Sequence, residues 1–263
     1  MIQIQCNFES KILKMNTSVT VLLPNYSGKG PLSEVYDQTT KFKTLYLLHG
    51  YMGDQTSWSR YSSIERYAEN KHLAVVMPSA YNSYYTNMVH GMDYFTYLSE
   101  ELPAAMRAMF PLSEKREDNF VAGLSMGGRG AFLWALKKPE FFSAAACLSG
   151  SLNLDELYDR KCKETADGHF KLFDDIFGDA SKLRSDDNDI YSLAKKLKKS
   201  GIQPPKLYIA CGTEDVRYEN QFKPFVAYAK KIGLELYHEE GPGEHNFDFW
   251  DPYIKRVIDW LPI

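Results

Sequence analysis

Nowhere in its 263 residues does the chain carry an apolar run long enough to span a bilayer, which excludes a helical membrane protein. Neither sign of charge dominates: 31 Lys and Arg against 34 Asp and Glu give a net charge of −3 with no long basic run. Nucleic acid and anionic membrane surfaces are therefore not expected partners. Cysteine is scarce, and Cys6, Cys147, Cys162 and Cys211 form no C-x-x-C pair, so neither a disulfide framework nor a zinc site is expected. The first residues, Met1-Ile2-Gln3-Ile4-Gln5-Cys6, lack a basic segment followed by an apolar one. With reduced thiols, that predicts a cytoplasmic protein. No G-x-G-x-x-G or Walker lysine follows an early strand, which argues against dinucleotide or phosphate chemistry. The run Asp186-Asp187-Asn188-Asp189 lacks the spacing, glycine and terminal glutamate of a calcium loop, and its last residues suit a helix N-terminus instead. A metal is therefore not expected.

What is present is an ordinary globular composition, 44% hydrophobic and 25% charged. Short apolar strands at 18–23, 44–48, 73–77, 120–122, 144–148, 206–210 and 234–237 are separated mostly by helical segments at 62–70, 98–110, 129–138, 221–232 and 248–260. That alternation predicts an α/β fold with a mostly parallel sheet covered by helices on both faces. Residues 150–205 break the rhythm. They hold no convincing buried strand, and read as a small helical, cap-like insertion in a single domain spanning 1–263.

The segment Gly123-Leu124-Ser125-Met126-Gly127 follows the apolar strand Asn119-Phe120-Val121-Ala122 and precedes a helical stretch. G-x-S-x-G in that setting is the sharp strand-to-helix turn that exposes a nucleophilic serine. A serine hydroxyl is a weak nucleophile until a base, usually histidine oriented by a carboxylate, takes its proton. His72 and His90 precede the serine, His169 lies in the insertion and His238 ends a strand. His49 also precedes it and reads as structural. His245, in the loop Gly241-Pro242-Gly243-Glu244-His245 before the last helix, is the candidate base. The strand Leu207-Tyr208-Ile209-Ala210-Cys211 runs into Gly212-Thr213-Glu214-Asp215, which offers two carboxylates; Asp215 is preferred, with Glu214 as the alternative. An oxyanion needs two fixed N–H donors. The amide of Met126, next after the serine, is one, and the amide of Tyr51, in Leu48-His49-Gly50-Tyr51-Met52-Gly53, is the other.

Taken in order, His49-Gly50-x-x-Gly53-Asp54 with Ser57-Trp58, Tyr94 through Glu100-Glu101-Leu102-Pro103, Gly123 through Gly128, Cys211-Gly212-x-x-Asp215 and Gly243-x-His245 resemble the esterase D group of α/β-hydrolases. The likeness is greatest to bacterial tributyrin-type, feruloyl and acetyl esterases, in a group that also holds S-formylglutathione hydrolases and mycolyl transferases. It covers nearly the whole chain from about Thr44 onward. The resemblance implies a cofactor-free enzyme acting on a small-molecule ester of a short acyl group, with Ser125, Asp215 and His245 as triad and Tyr51 and Met126 as oxyanion donors. An S-formylglutathione hydrolase-like thioesterase and an acyl transferase would use the same triad. Where many relatives carry Trp shortly after the histidine, this chain has Phe247, with Trp250 further on. Met52, Tyr84 and Tyr94, among an aromatic-rich set with Tyr81 and Tyr85, are candidate substrate-binding residues for an aryl or sugar-linked ester; packing explains each tyrosine equally well. Homo-oligomer formation is left open.

Overall fold

The computed structural model describes residues 1–25, 39–156, 169–179 and 187–263. Among these, eight strands form one sheet in the order β1-β2-β4-β3-β5-β6-β7-β8: β1 Ile2–Ser10, β2 Met15–Leu23, β3 Thr44–Leu48, β4 Ala74–Pro78, β5 Asn119–Leu124, β6 Ala144–Leu148, β7 Lys206–Gly212 and β8 Tyr237–Gly241. Strand β2 pairs antiparallel with β1 and β4, and every other pairing is parallel. The fold is thus the α/β architecture with a mostly parallel sheet that the alternation predicts, and its strand order agrees with the α/β-hydrolase fold that the resemblance implies.

The central strands read as continuous apolar runs because both of their faces are covered. On β3, Leu45 and Leu47 enter one core while Tyr46 and Leu48 enter the other. Helices α1 Ser57–Tyr61, α2 Ile64–Glu69 and α9 Phe247–Trp260 pack on the first face through Trp58, Ile64, Phe249 and Ile254. The second face is covered by α4 Leu102–Met109, α5 Met126–Lys137, α7 Ile190–Ser200 and α8 Lys223–Ile232, through Met106, Phe132, Leu193 and Phe225. No helix among the described residues is long and apolar enough to cross a membrane.

Several elements differ from the sequence expectation for identifiable reasons. Helix α5 begins at Met126 rather than 129. Gly127, Gly128 and Gly130 lower its intrinsic propensity, but a Cβ on Gly127 would run into the Leu48 and His49 carbonyls, so the close approach to β3 requires glycine. The helix expected at 98–110 starts earlier, as α3 Tyr94–Thr96, and passes through a π turn at Tyr97–Glu101 into α4. A second π turn, Tyr218–Phe222, precedes α8. Each π turn ends two residues before a proline, Pro103 or Pro224, where a wider turn accommodates the missing N–H and the ring. Glu101 accepts from the amides of Lys11 (2.6 Å) and Ile12 (3.2 Å) and from the Ser10 hydroxyl, which pins the β1–β2 turn. The last strand occupies 237–241, not 234–237, because Tyr-His-Glu-Glu-Gly at the sheet edge is largely exposed and carries no apolar signal.

Between β6 and β7 the described residues hold a helical turn at 154–156, the helices α6 His169–Phe177 and α7, and no strand. Asp189 caps α7, accepting from the amides of Tyr191 (3.4 Å) and Ser192 (3.0 Å). Cys147 and Cys211 are buried and uncrosslinked, and burial pushes the Cys147 thiol up to about 12. Cys162 and Asp186 lie outside the described residues.

Candidate active site

Parallel pairing brings the carboxyl ends of five strands to one edge: Leu48 is in register with Gly123, Leu124 with Leu148, Leu148 with Ala210, and Gly212 with Gly241. In open parallel sheets that edge is where ligands bind. At the end of β5 the chain turns within one residue. Ser125 has φ 54° and ψ −117°, a strained conformation for a residue with a Cβ. The turn is held by Ser125 N–H donating to Leu148 O (2.8 Å) and by Ser125 O accepting from Arg129 N (3.1 Å). Ser125 is buried apart from its access to the cleft below.

Three side chains from three loops meet there. Ser125 Oγ lies 3.0 Å from His245 Nε2, and His245 Nδ1 lies 2.6 Å from Asp215 Oδ2. Asp215 Oδ1 accepts from the Arg217 amide at 2.8 Å. Burial alone would push the Asp215 carboxyl up. The hydrogen bond and charge of His245, helped by the Arg217 amide and the Ser149 hydroxyl, outweigh it and hold the group below its ordinary value. Asp215 is therefore an ionised acceptor, which fixes the His245 tautomer with its proton on Nδ1 and its Nε2 lone pair toward Ser125. Glu214 turns the other way. Its carboxylate accepts the Gly243 amide and ties the acid loop to the histidine loop.

His49 has both ring nitrogens on backbone: Nδ1 donates to Gly50 O (2.7 Å) and Nε2 accepts from Ala80 N (3.0 Å). It is 1% exposed, and burial pulls its pKa down to about 4, so it stays neutral. That anchor sets the path of Gly50 and Tyr51 beside the serine. A Cβ on Gly50 would strike the Leu124 side chain. Trp58 Nε1 donates to Leu48 O (3.0 Å) and Tyr85 Oη to His49 O (2.9 Å), fixing the strand end from both sides. Met126 is the first residue of α5, where an amide has no carbonyl one turn back within the helix.

A cleft of about 510 Å³ opens over Ser125 and His245, lined also by Gly50, Tyr51, Met52, Leu124, Tyr61, Phe247, Trp250 and Arg217. Met52 is 80% exposed at its mouth. Tyr84 and Tyr94 do not line this cleft: both are buried in the core, Tyr84 between Tyr51 on one side and Phe173 and Phe177 on the other, Tyr94 against Tyr81. Phe247 packs edge-on to Trp58 and Trp250, and the Trp250 ring stands perpendicular to the His245 imidazole at 4.8 Å. Trp250 Nε1 donates to Ser149 Oγ at 3.1 Å. Arg217, Tyr61 and Ser149 are not among the residues the sequence points to. Of these only Arg217 left a signal, its position two residues after the acid on the same turn. Among the described residues no group of three or more His, Cys, Asp or Glu side chains is placed to hold a metal ion.

The sequence model of the Esterase family matches residues 10–253. The chain belongs to that family. An acetyl esterase of Caldicellulosiruptor saccharolyticus is 34% identical over 259 residues, 98% of this chain and 97% of the relative. Among solved structures, the fluorophosphonate-binding serine hydrolase F of Staphylococcus aureus is 37% identical, with a TM-score of 0.88 over 99% of this chain and 98% of that one. An S-formylglutathione hydrolase of the same organism is also 37% identical, with a TM-score of 0.85 over the same shares. As an esterase the chain is an enzyme of carboxylic ester bonds, and its substrates are small-molecule esters.

Proposed function

We propose that the chain is a serine carboxylesterase of short acyl esters, acetyl and butyryl among them, with Ser125 as nucleophile, His245 as general base and Asp215 as its orienting acid. The observation that carries this reading is the continuous hydrogen-bonded line from Ser125 Oγ through both nitrogens of His245 to Asp215 Oδ2. Ser125 Oγ bonds to the ester carbonyl carbon as its proton passes to Nε2. The oxyanion that forms is held by the amides of Tyr51 and Met126. When the tetrahedral species collapses, the alcohol oxygen leaves with the proton from Nε2. Water then adds to the acyl-enzyme in the same way, its proton passing through Nε2 to Ser125 Oγ as the acid departs.

The same reading takes residues 1–263 as one catalytic domain, with the 150–205 segment as an insertion that shapes substrate choice. Its support is the aromatic contact running from Tyr51 through Tyr84 to Phe173 and Phe177 of α6. A hydroxycinnamoyl ester fits the aromatic wall formed by Tyr61, Phe247 and Trp250. Thioester hydrolysis is the second reading, favoured by the similarity to the staphylococcal S-formylglutathione hydrolase. The test is a p-nitrophenyl acyl series beside methyl ferulate and S-formylglutathione. Ser125→Ala should lower turnover by roughly 10⁴ to 10⁶ on whichever is preferred; full activity of that variant would overturn the proposal.

A further inference from the structure

The His245 imidazole is held at its two nitrogens, Nδ1 at 2.6 Å from Asp215 Oδ2 and Nε2 at 3.0 Å from Ser125 Oγ, with Arg217 Nη1 at 2.8 Å from the same Nε2. Bonds at these two atoms fix the ends of the ring, yet they resist least a turn about the line that joins them. The backbone adds no rigid support of its own, since His245 sits on the loop between β8 and α9 rather than on either element. A contact at the side of the ring comes from α9. The Trp250 indole stands perpendicular to the imidazole, with ring centroids 4.8 Å apart. Trp250 is buried, Phe247 packs edge-on against it at 5.2 Å, and its Nε1 donates to Ser149 Oγ at 3.1 Å.

Ser149 is the first residue past β6, fully buried, with a φ of 49° that is strained for a residue with a Cβ. Glycine adopts that conformation with less strain but has no oxygen to receive the indole N–H. The Ser149 amide donates to Ala210 O at 2.8 Å, which ties the residue to β7. Leu148, just before it, accepts the Ser125 amide at 2.8 Å. Two adjacent residues at the end of β6 thus hold both halves of the reacting pair: Leu148 holds the nucleophile directly, and Ser149 holds the base through Trp250. Proton transfer between Ser125 and His245 depends steeply on their distance and alignment, so a common reference point for the two matters to the rate. We propose that Ser149 and Trp250 are positioning residues for the hydrolysis, a strut that carries the fixed end of β6 to the side of the His245 ring and keeps Nε2 aimed at Ser125 and then at the leaving oxygen. The proposal rests on the roles given above to Ser125 and His245.

The experiment measures kcat, KM and Tm on p-nitrophenyl butyrate for the wild-type chain, Ser149→Gly, Trp250→Phe, the double variant and Trp250→Leu. Ser149 does not line the cleft, so S149G should lower kcat by about 5- to 10-fold, the worth of one hydrogen bond, with KM unchanged. Its Tm should stay within a few degrees of the wild type, because glycine relieves the strain at that position. W250F keeps a ring beside the imidazole and loses only the N–H, so its kcat should fall about as far as that of S149G. W250L loses the ring as well, and its kcat should fall about 100-fold. The double variant decides whether the two residues act as one unit: S149G should cost less than about twofold in kcat once Trp250 is phenylalanine. A wild-type kcat in S149G, a loss in KM alone, or a loss of kcat matched by loss of the folded chain would each overturn the proposal. So would a cost of S149G that persists in full beside W250F, since the hydroxyl would then act without the indole. In each case hydrolysis by the wild type leaves the Ser125 reading standing. That reading fails separately, if Ser125→Ala hydrolyses the same ester at the wild-type rate.

Discussion

His49 and His245 both stand just past the carboxyl end of a sheet strand, on the edge where the cleft opens, yet their surroundings are opposite. Both nitrogens of His49 meet backbone groups, in a site that water does not reach. Both nitrogens of His245 meet side chains, and 24% of its side chain is exposed. A ring bonded to fixed amides and carbonyls can only hold a loop in place. A ring between a carboxylate and a hydroxyl can take and return a proton without leaving its seat. Residue type and position at a strand end are shared, so the partners alone separate scaffold from chemistry.

The sharpest way to break this comparison is to remove each ring in turn. His245→Ala should lower kcat by roughly 10⁴ or more while shifting Tm by only a few degrees. His49→Ala should do the reverse. It leaves the Ala80 amide and Gly50 carbonyl without their buried partner, at about 2–4 kcal/mol in denaturant unfolding, with a smaller loss of activity through the displaced Tyr51 loop. A His49→Ala protein of full stability and no activity would assign the two rings wrongly.

The acid loop offers a second contrast, between adjacent carboxylates. Asp215→Asn keeps the shape but presents an amide to Nδ1, which favours the wrong tautomer; kcat should fall by about 10³ to 10⁴. Glu214→Gln retains an acceptor for the Gly243 amide, so the loop tie persists and kcat should change by less than about tenfold. Steady-state kinetics on one p-nitrophenyl ester compares the two. Equal losses would mean that the two carboxylates share the role assigned to Asp215.

How much of this was legible in the sequence follows the same division between fixed and reactive parts. Strands β3 and β5 are readable because burial on both faces demands unbroken apolar runs, and the meeting of Ser125, His245 and Asp215 at one edge is readable because their order and strand-end positions are topological. Strand β8 was misplaced by three residues because an exposed edge imposes no such demand. The start of α5 is hidden by glycines, of which Gly127 is required by its close approach to the end of β3, a relation between segments about 80 residues apart. Tyr84 could not be assigned to cleft or core from sequence, since a tyrosine suits both; only the packing of Phe173 and Phe177 decides where its ring goes. Arg217 was overlooked for a similar reason. An arginine on a turn reads as solvated until the His245 loop folds against it.

A third way to sharpen the comparison uses pH without altering any residue of the cleft. Burial depresses the His49 pKa from 6.5 to about 4, so between those values the unfolded chain binds a proton that the folded chain refuses. Stability should then fall on acidification across that window, by at most about 3 kcal/mol from this one group. The lowered Asp215 pKa has the same sign but a lower window: its contribution is complete above the ordinary carboxylate value of 3.8 and is lost as pH falls through the folded value. Urea unfolding of the wild type between about pH 7 and 4.5, set against His49→Gln, isolates the first from the second. The glutamine variant should begin less stable at neutral pH and show a flatter dependence, because it has no ring to charge in the unfolded state. Parallel curves for the two proteins would mean that His49 keeps its proton in the fold. The cationic ring would then have to donate from Nε2 toward the Ala80 amide, and the anchor of the Tyr51 loop would need a different account.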